Sequence, residues 1–313
     1  MRKSGASQVK QDMENKMTIV MAGFLIFLNA GAGGEGAGRQ LLGPDGCAAV
    51  QRMGFTGVRT DLNWQDEWAM AVLMEFAAGE PCDGLKPLVV IHGNSPASVE
   101  ERALFLFYAA RDLGLSGFFV EIINESNITP PWEGRPELAA EAVARVISAW
   151  RVAGQDLDVT LLVGGANDLS IKNQGYTAAE LHRLRELEPE LPSNLVVGFH
   201  DYRPANKPMS FAFPPFVSRI METDYFKAVL NVNGLSRRGC SEFGYDVTGK
   251  MSEAQVWERL KDSITYHKVS GAEFTTIYQL RNSHESTFGL VHEDGSLTVA
   301  GKNMKCFLEG LRK

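Results

Sequence analysis

The sequence predicts an α/β protein, a single-domain (β/α)8 TIM barrel, and three observations predict it. Short apolar runs of strand length alternate with longer stretches of helical periodicity along nearly the whole chain. The alternation recurs eight times, and strictly alternating βα units imply a parallel sheet with right-handed crossovers. Reactive side chains recur at the C-terminal ends of several runs, where a barrel gathers its site. A doubly wound open sheet would instead concentrate them at one switch point beside a glycine turn.

The 313 residues fit one barrel domain, since such barrels run to this length. The polar residues 1–16 read as a tail, and 17–313 as the barrel. Met17 to Ala30 is the most apolar stretch in the chain. It is short for a membrane span. Arg2, Lys3, Lys10 and Lys16 precede it, as in a leader, but so do Asp12 and Glu14. Cleavage after it would remove the candidate first strand, so it is read as strand; localisation stays unknown, with cytoplasmic slightly favoured over secreted. The glycines from Gly31 to Gly38 lack the Gly-Lys-Ser/Thr of a phosphate loop.

The elements then follow in order. A helix spans about Asp45 to Met53, a strand Gly57 to Asp61, and a helix about Asp66 to Ala78. The strand Leu85 to His92 precedes a helix opened by a capping box of Ser98 and Glu101. The strand Gly117 to Ile123 ends at Asn124-Glu125, and after Pro130-Pro131 a one-faced apolar pattern marks a helix through Trp150. The strand Val159 to Gly164 leads to a helix capped by Thr177 and Glu180, and the strand Leu195 to His200 to a helix around Phe216 to Val229. A short polar strand, about Arg238 to Phe243, carries Glu242. A helix opens at Ser252 with Gln255 as its reciprocal cap. Phe274 to Leu280 is the last strand and Val299 to Leu311 the last helix.

This order puts Glu125 at the end of strand four and Glu242 at the end of strand seven. Those strands lie on opposite sides of an eight-stranded barrel, so their side chains can meet across its mouth. Two facing carboxylates are what glycosidic-bond hydrolysis requires: one gives a proton, the other attacks or activates water. Trp64 and Trp132 fall in loops at the same face and are candidates to stack on a sugar, whereas Trp68, Trp150 and Trp257 fall on helices and read as core.

The short motifs in this order resemble those of clan A glycoside hydrolases, family five most closely. Gly54-Phe55-Thr56-Gly57-Val58-Arg59 is similar to the family's strand-two pattern, His92 in VVIHGN to its strand-three histidine, and Asn124-Glu125 to its strand-four pair. His200-Asp201-Tyr202 matches His-x-Tyr of strand six, and Ser241-Glu242-Phe243-Gly244 the nucleophile segment of strand seven. Phe288-Gly289-Leu290-Val291 followed by Asp294-Gly295 matches the segment after strand eight. The resemblance implies a retaining O-glycosidase with Glu125 as acid/base and Glu242 as nucleophile. It implies that Arg59 and Tyr202 contact the nucleophile, that Asn124 binds the sugar 2-hydroxyl, and that His92 and His200 line the substrate site. Where the family carries a tryptophan at the end of strand eight, this chain has Tyr278-Gln279. A barrel that binds glycans without cutting them, or has a structural role, is the alternative.

Other chemistries are disfavoured. A net charge of -7 and the lack of a basic stripe with interleaved aromatics argue against a nucleic-acid partner. No further run suits a membrane. The six histidines form no H-x-H pair, and Cys47, Cys82, Cys240 and Cys306 form no C-x-x-C pair, so neither a metal nor another cofactor is expected. The cysteines read as free thiols, with one surface disulfide left open. The expected partner is a carbohydrate, and oligomeric state has no signature in the sequence.

Overall fold

The computed structural model describes residues 24–29, 44–61, 73–74, 76–77, 82, 84–166, 171–201, 226–245, 251–278, 289–292 and 296–311. Eight parallel strands close a barrel in chain order. They are β1 (Leu25–Asn29), β2 (Gly57–Asp61), β3 (Lys86–Ile91), β4 (Phe118–Ile122), β5 (Val159–Ala166), β6 (Leu195–His200), β7 (Arg238–Phe243) and β8 (Phe274–Ile277). The outer helices described are α1 (Pro44–Met53), α2 (Pro96–Leu113), α3 (Pro136–Ala153), α4 (Ile171–Leu187), α5 (Glu253–Val269) and α6 (Val299–Leu311).

Side chains of a strand alternate between its two faces, and here the faces have different chemistry. Phe27, Leu88, Val90, Phe119, Leu162, Val196 and Phe274 point inward and form their own cluster. The rings of Phe27, Phe119 and Phe274 meet edge to face, with centroids 5.2–5.6 Å apart, and plug the barrel. The alternate residues, such as Val89, Val120, Val197 and Ile277, point outward into the larger cluster under the helices. One step above the aromatic plug, on the inward parity, stand Arg59, Glu121 and His200, all buried. The barrel is therefore apolar below and charged at its upper mouth.

At the opposite rim arginines at helix ends or in the αβ loops tie each unit to the next αβ loop. Arg111 pairs with Asp156, Arg151 reaches Glu188 at 2.6 Å, and Arg237 grips Glu273 through two bonds of 2.7 and 2.8 Å. Such solvent-screened pairs each contribute little to stability.

The helix starts correct two expectations. Ser95, not Ser98, caps α2: it accepts from the Ser98 N–H while the Ser98 hydroxyl accepts from the Ser95 N–H. Pro96 at the first helical position fixes that start. Helix α4 begins at Ile171, so Thr177 and Glu180 lie inside it. The i, i+3 spacing that imitates a capping box also places two residues on one helix face, and here both are buried. Burial pushes the Glu180 carboxyl up to about 8. Ser252 and Gln255 cap α5 reciprocally, as expected. The expected helices over 66–78 and 216–229 fall largely outside the described residues; 73–74, 76–77 and 226–232 are helical.

The cysteines are also corrected. Cys47 on α1 and Cys82 ahead of β3 form a buried disulfide, while Cys240 and Cys306 are free. The partners are 35 residues apart in sequence, which leaves no local signal. Disulfides persist in oxidising surroundings and are scarce in the cytosol, so the cross-link runs against the cytoplasmic expectation. No helix among the described residues is long and apolar enough to cross a membrane.

Candidate active site

Strict alternation does not by itself bring the carboxylates together; two departures from it do. At the end of β4, Phe119 and Glu121 point inward and Ile122 outward. Ile123 has φ 61° and also packs outward, and Glu125 has φ 49°. These left-handed residues are costly for side chains other than glycine. Their effect is to return Asn124 to the barrel side and to hold Glu125 at the mouth. The turn beyond them is fixed by N–H groups of Ile128 and Thr129 donating to the Glu125 carbonyl at 3.0 and 2.9 Å. Gly164 on β5 makes room: a Cβ there would lie 1.6 Å from the Ile123 carbonyl oxygen.

The second departure is in β7. Cys240 pairs with Phe199 of β6, but the next β6 residue, His200, pairs with Glu242. Ser241 is thus an extra residue, a bulge, and β7 shifts register against β8 over the same stretch. Without it Glu242 would share the outward parity of Cys240. With it Glu242 turns inward and Phe243 faces the outer core.

Arg59 organises the mouth. Its Nε donates to Glu121 Oε2 at 2.7 Å, Nη2 donates to Asn124 Oδ1 at 2.9 Å, and Nη1 lies 3.2 Å from Glu242 Oε2. The rigid guanidinium fork serves β4 twice and β7 once, which a lysine could not do. His200 is the second organiser. Its Nδ1 lies 3.0 Å from Glu125 Oε1, and its Nε2 is 3.8 Å from Glu121 Oε1 and 4.0 Å from Glu242 Oε2.

Burial alone would raise the Glu121 carboxyl, but the Arg59 guanidinium and His200 outweigh it and hold it at about 2. Burial alone would lower the His200 imidazole, but its carboxylate neighbours outweigh it and raise it to about 9. Two cations, Arg59 and His200, therefore face three carboxyl groups. Among the described residues no group of three or more His, Cys, Asp or Glu is arranged to hold a metal ion.

Of the residues singled out in the sequence, the structure gathers Arg59, Asn124, Glu125, His200 and Glu242 in one network. His92 follows β3 on the inward parity of Leu88 and Val90, at the mouth. Tyr278 follows β8 on the inward parity of Phe274, and its N–H donates to the Phe243 carbonyl at 2.7 Å. Trp132 is not displayed to a ligand: it is 1% exposed and packed in the outer core. Trp150 and Trp257 pack against the core, as expected. Trp64, Trp68 and Tyr202 lie outside the described residues. Glu121 was missed, though a lone glutamate in the apolar run FFVEI, on the parity of Phe119, carries the signal.

No family model matches the chain, and no curated protein matches it in sequence. Solved structures share its fold. A GH5-4 broad specificity endoglucanase from Clostridium longisporum superposes with a TM-score of 0.67 at 14% identity, covering 95% of this chain and 98% of that one. An exo-beta-1,4-mannosidase from Opitutaceae bacterium strain TAV5 gives 0.62 at 15%, over 92% of this chain and 59% of that one. A family 39 glycoside hydrolase from Bacteroides cellulosilyticus WH2 gives 0.64 at 17%, over 90% and 63%. The chain shares the eight-stranded barrel fold of these glycoside hydrolases.

Proposed function

We propose that the protein is a retaining glycoside hydrolase that cleaves O-glycosidic bonds of an oligo- or polysaccharide, with Glu242 as nucleophile and Glu125 as acid/base. The observation that carries this reading is that the two carboxyl groups, brought from opposite walls of the barrel, flank the two nitrogens of one buried imidazole. The glycosidase fold of the structural neighbours supports it, and fold alone would not suffice.

The charge inventory suits the chemistry. With Arg59 and His200 cationic and Glu121 and Glu242 ionised, the cluster is neutral when Glu125 holds a proton. His200 donates to Glu125 Oε1, which leaves Oε2 to carry that proton. Glu125 can then protonate the leaving oxygen as Glu242, kept anionic by Arg59, attacks the anomeric carbon. Once the glycosyl–Glu242 ester forms, Glu242 has lost its charge, and the now ionised Glu125 restores neutrality. It can take a proton from the water that cleaves the ester. Asn124 Oδ1 accepts from Arg59 Nη2, which turns its amide N–H groups toward a sugar 2-hydroxyl. Tyr278 and His92 stand where they can line the sugar site, as can Tyr202 by its place in the motif.

The test is intact-mass spectrometry after incubation with 2-deoxy-2-fluoro glycosides bearing good leaving groups. One added glycosyl mass on the peptide containing Glu242 is expected. Hydrolysis of any glycoside by a Glu242→Ala variant at the wild-type rate would sink the assignment.

A further inference from the structure

We infer that His267, on the outer side of the barrel wall, is a positioning residue for Glu242. With Asp201 and Thr275 it locks the bulged stretch of β7 that turns the carboxylate inward. The inference rests on the reading of Glu242 as nucleophile.

His267 belongs to α5 and is fully buried. Its Nε2 lies 3.0 Å from Asp201 Oδ2 and its Nδ1 2.9 Å from Thr275 Oγ1. Asp201 directly follows β6, and Thr275 is in β8. The imidazole therefore spans the two strands that flank β7. Its faces are held by the rings of Phe199 and Phe243, edge to face at 5.7 and 5.0 Å. Phe243 is the residue after Glu242.

The backbone completes the link. The Asp201 N–H donates to the Glu242 carbonyl at 3.0 Å, and the Cys240 thiol reaches the same carbonyl at 3.5 Å. These contacts sit where β7 slips register against both neighbours. A one-residue slip of a strand sends each side chain to the opposite face. A relaxed β7 would send Glu242 outward, away from Arg59. A buried histidine–aspartate pair is a poor way to gain stability, because desolvation offsets the attraction. A specific geometry is what such a pair can supply, and the geometry it borders is that of the nucleophile.

The test uses His267→Leu, His267→Gln and Thr275→Val, each compared with wild type by crystal structure and by turnover of an activated aryl glycoside. His267→Leu is expected to open the Arg59–Glu242 contact beyond ion-pair range. It should lower kcat about 100-fold with KM within about twofold, since a displacement near 1 Å costs that much. His267→Gln, whose amide can still donate to Asp201, is expected to recover about tenfold or more. Thr275→Val keeps the volume, and guards against failure of the leucine variant to fold. It should lower kcat about tenfold, and an unchanged kcat would count against the clamp. A folded leucine variant with Glu242 still against Arg59 and kcat intact overturns the inference. If wild type turns over no glycoside, the functional reading fails, while the crystal structures still decide whether His267 holds Glu242.

Discussion

Removing the guanidinium of Arg59 should be the most damaging single change at the mouth of the barrel, and part of the damage should be recoverable by removing a carboxylate. Arg59→Met deletes bonds of 2.7 Å to Glu121 and 2.9 Å to Asn124, together with the contact of 3.2 Å to Glu242. Glu121, with no exposure, is then left with the more distant His200 as its cationic neighbour. Breaking a buried pair from one side costs about 3–5 kcal/mol. An unfolding entropy of about 2.1 cal/mol/K per residue makes that roughly 5–8 °C in Tm for a chain of this length. Glu121→Gln alone should cost less, because Arg59 keeps Glu242 as a partner. The double variant no longer strands Glu121, so it should be less destabilised than the two singles together, by about 2–3 kcal/mol. Urea unfolding of the four proteins at pH 7 measures the cycle directly. Effects that add to within about 0.5 kcal/mol would refute the coupled-charge account.

Further outcomes follow from other sites. Gly164→Ala puts a methyl group 1.6 Å from the Ile123 carbonyl oxygen, so the β4 end must move. Turnover should be lost and Tm should fall, and unchanged kinetics would show that Glu125 does not depend on that peptide. The His200 imidazole is raised from 6.5 to about 9, so its stabilisation is complete below pH 6.5 and lost as pH rises through 9. Glu121 is lowered from 4.5 to about 2, so its contribution is complete above pH 4.5 and lost as pH falls through 2. Glu180, raised from 4.5 to about 8, costs stability as pH rises from 4.5 through 8. Tm measured from pH 2 to 10 should therefore peak at about 4.5, and His200→Gln should flatten the part of the decline that lies between 6.5 and 9. Opening the Cys47–Cys82 bond by Cys47→Ser with Cys82→Ser closes off a 35-residue constraint and should cost about 4 kcal/mol on the chain-entropy model. Thiol titration of the denatured wild type should count two free cysteines before reduction and four after. Glu125→Ala should slow glycosides with poor leaving groups far more than those with good ones.

What the sequence shows and what it hides divide along a physical line. The barrel was legible because a strand inside one reads as a short apolar run, and helical periodicity separates the runs. Even the polar segment from Arg238 to Phe243 was placed correctly, by its position in the alternation. The meeting of Glu125 and Glu242 at the mouth followed from strand ends, while the places of Arg59, Asn124 and His200 beside them came from the resemblance of the motifs. The means of convergence did not. Nothing in Ile-Ile-Asn-Glu announces a left-handed isoleucine, since that conformation is imposed by Gly164 and the turn beyond, not by local preference. The extra Ser241 is visible only in the pairing of β7 with its neighbours. His267 lies 66 residues from Asp201, and its role is tertiary throughout. Trp132 was misplaced because a loop tryptophan suggests exposure, while its ring is folded under the loop into the outer core.

The disulfide has a topological effect beyond stability. The loop it closes runs from α1 to the approach of β3, and β2 with Arg59 lies within it. A single backbone cut anywhere between Cys47 and Cys82 leaves one covalent molecule. The nicked chain should migrate as a single band until a reductant is added, and separate into two fragments only then. The strand that carries the central cation of the site is thus retained through one proteolytic event, a protection the strands outside that loop do not share.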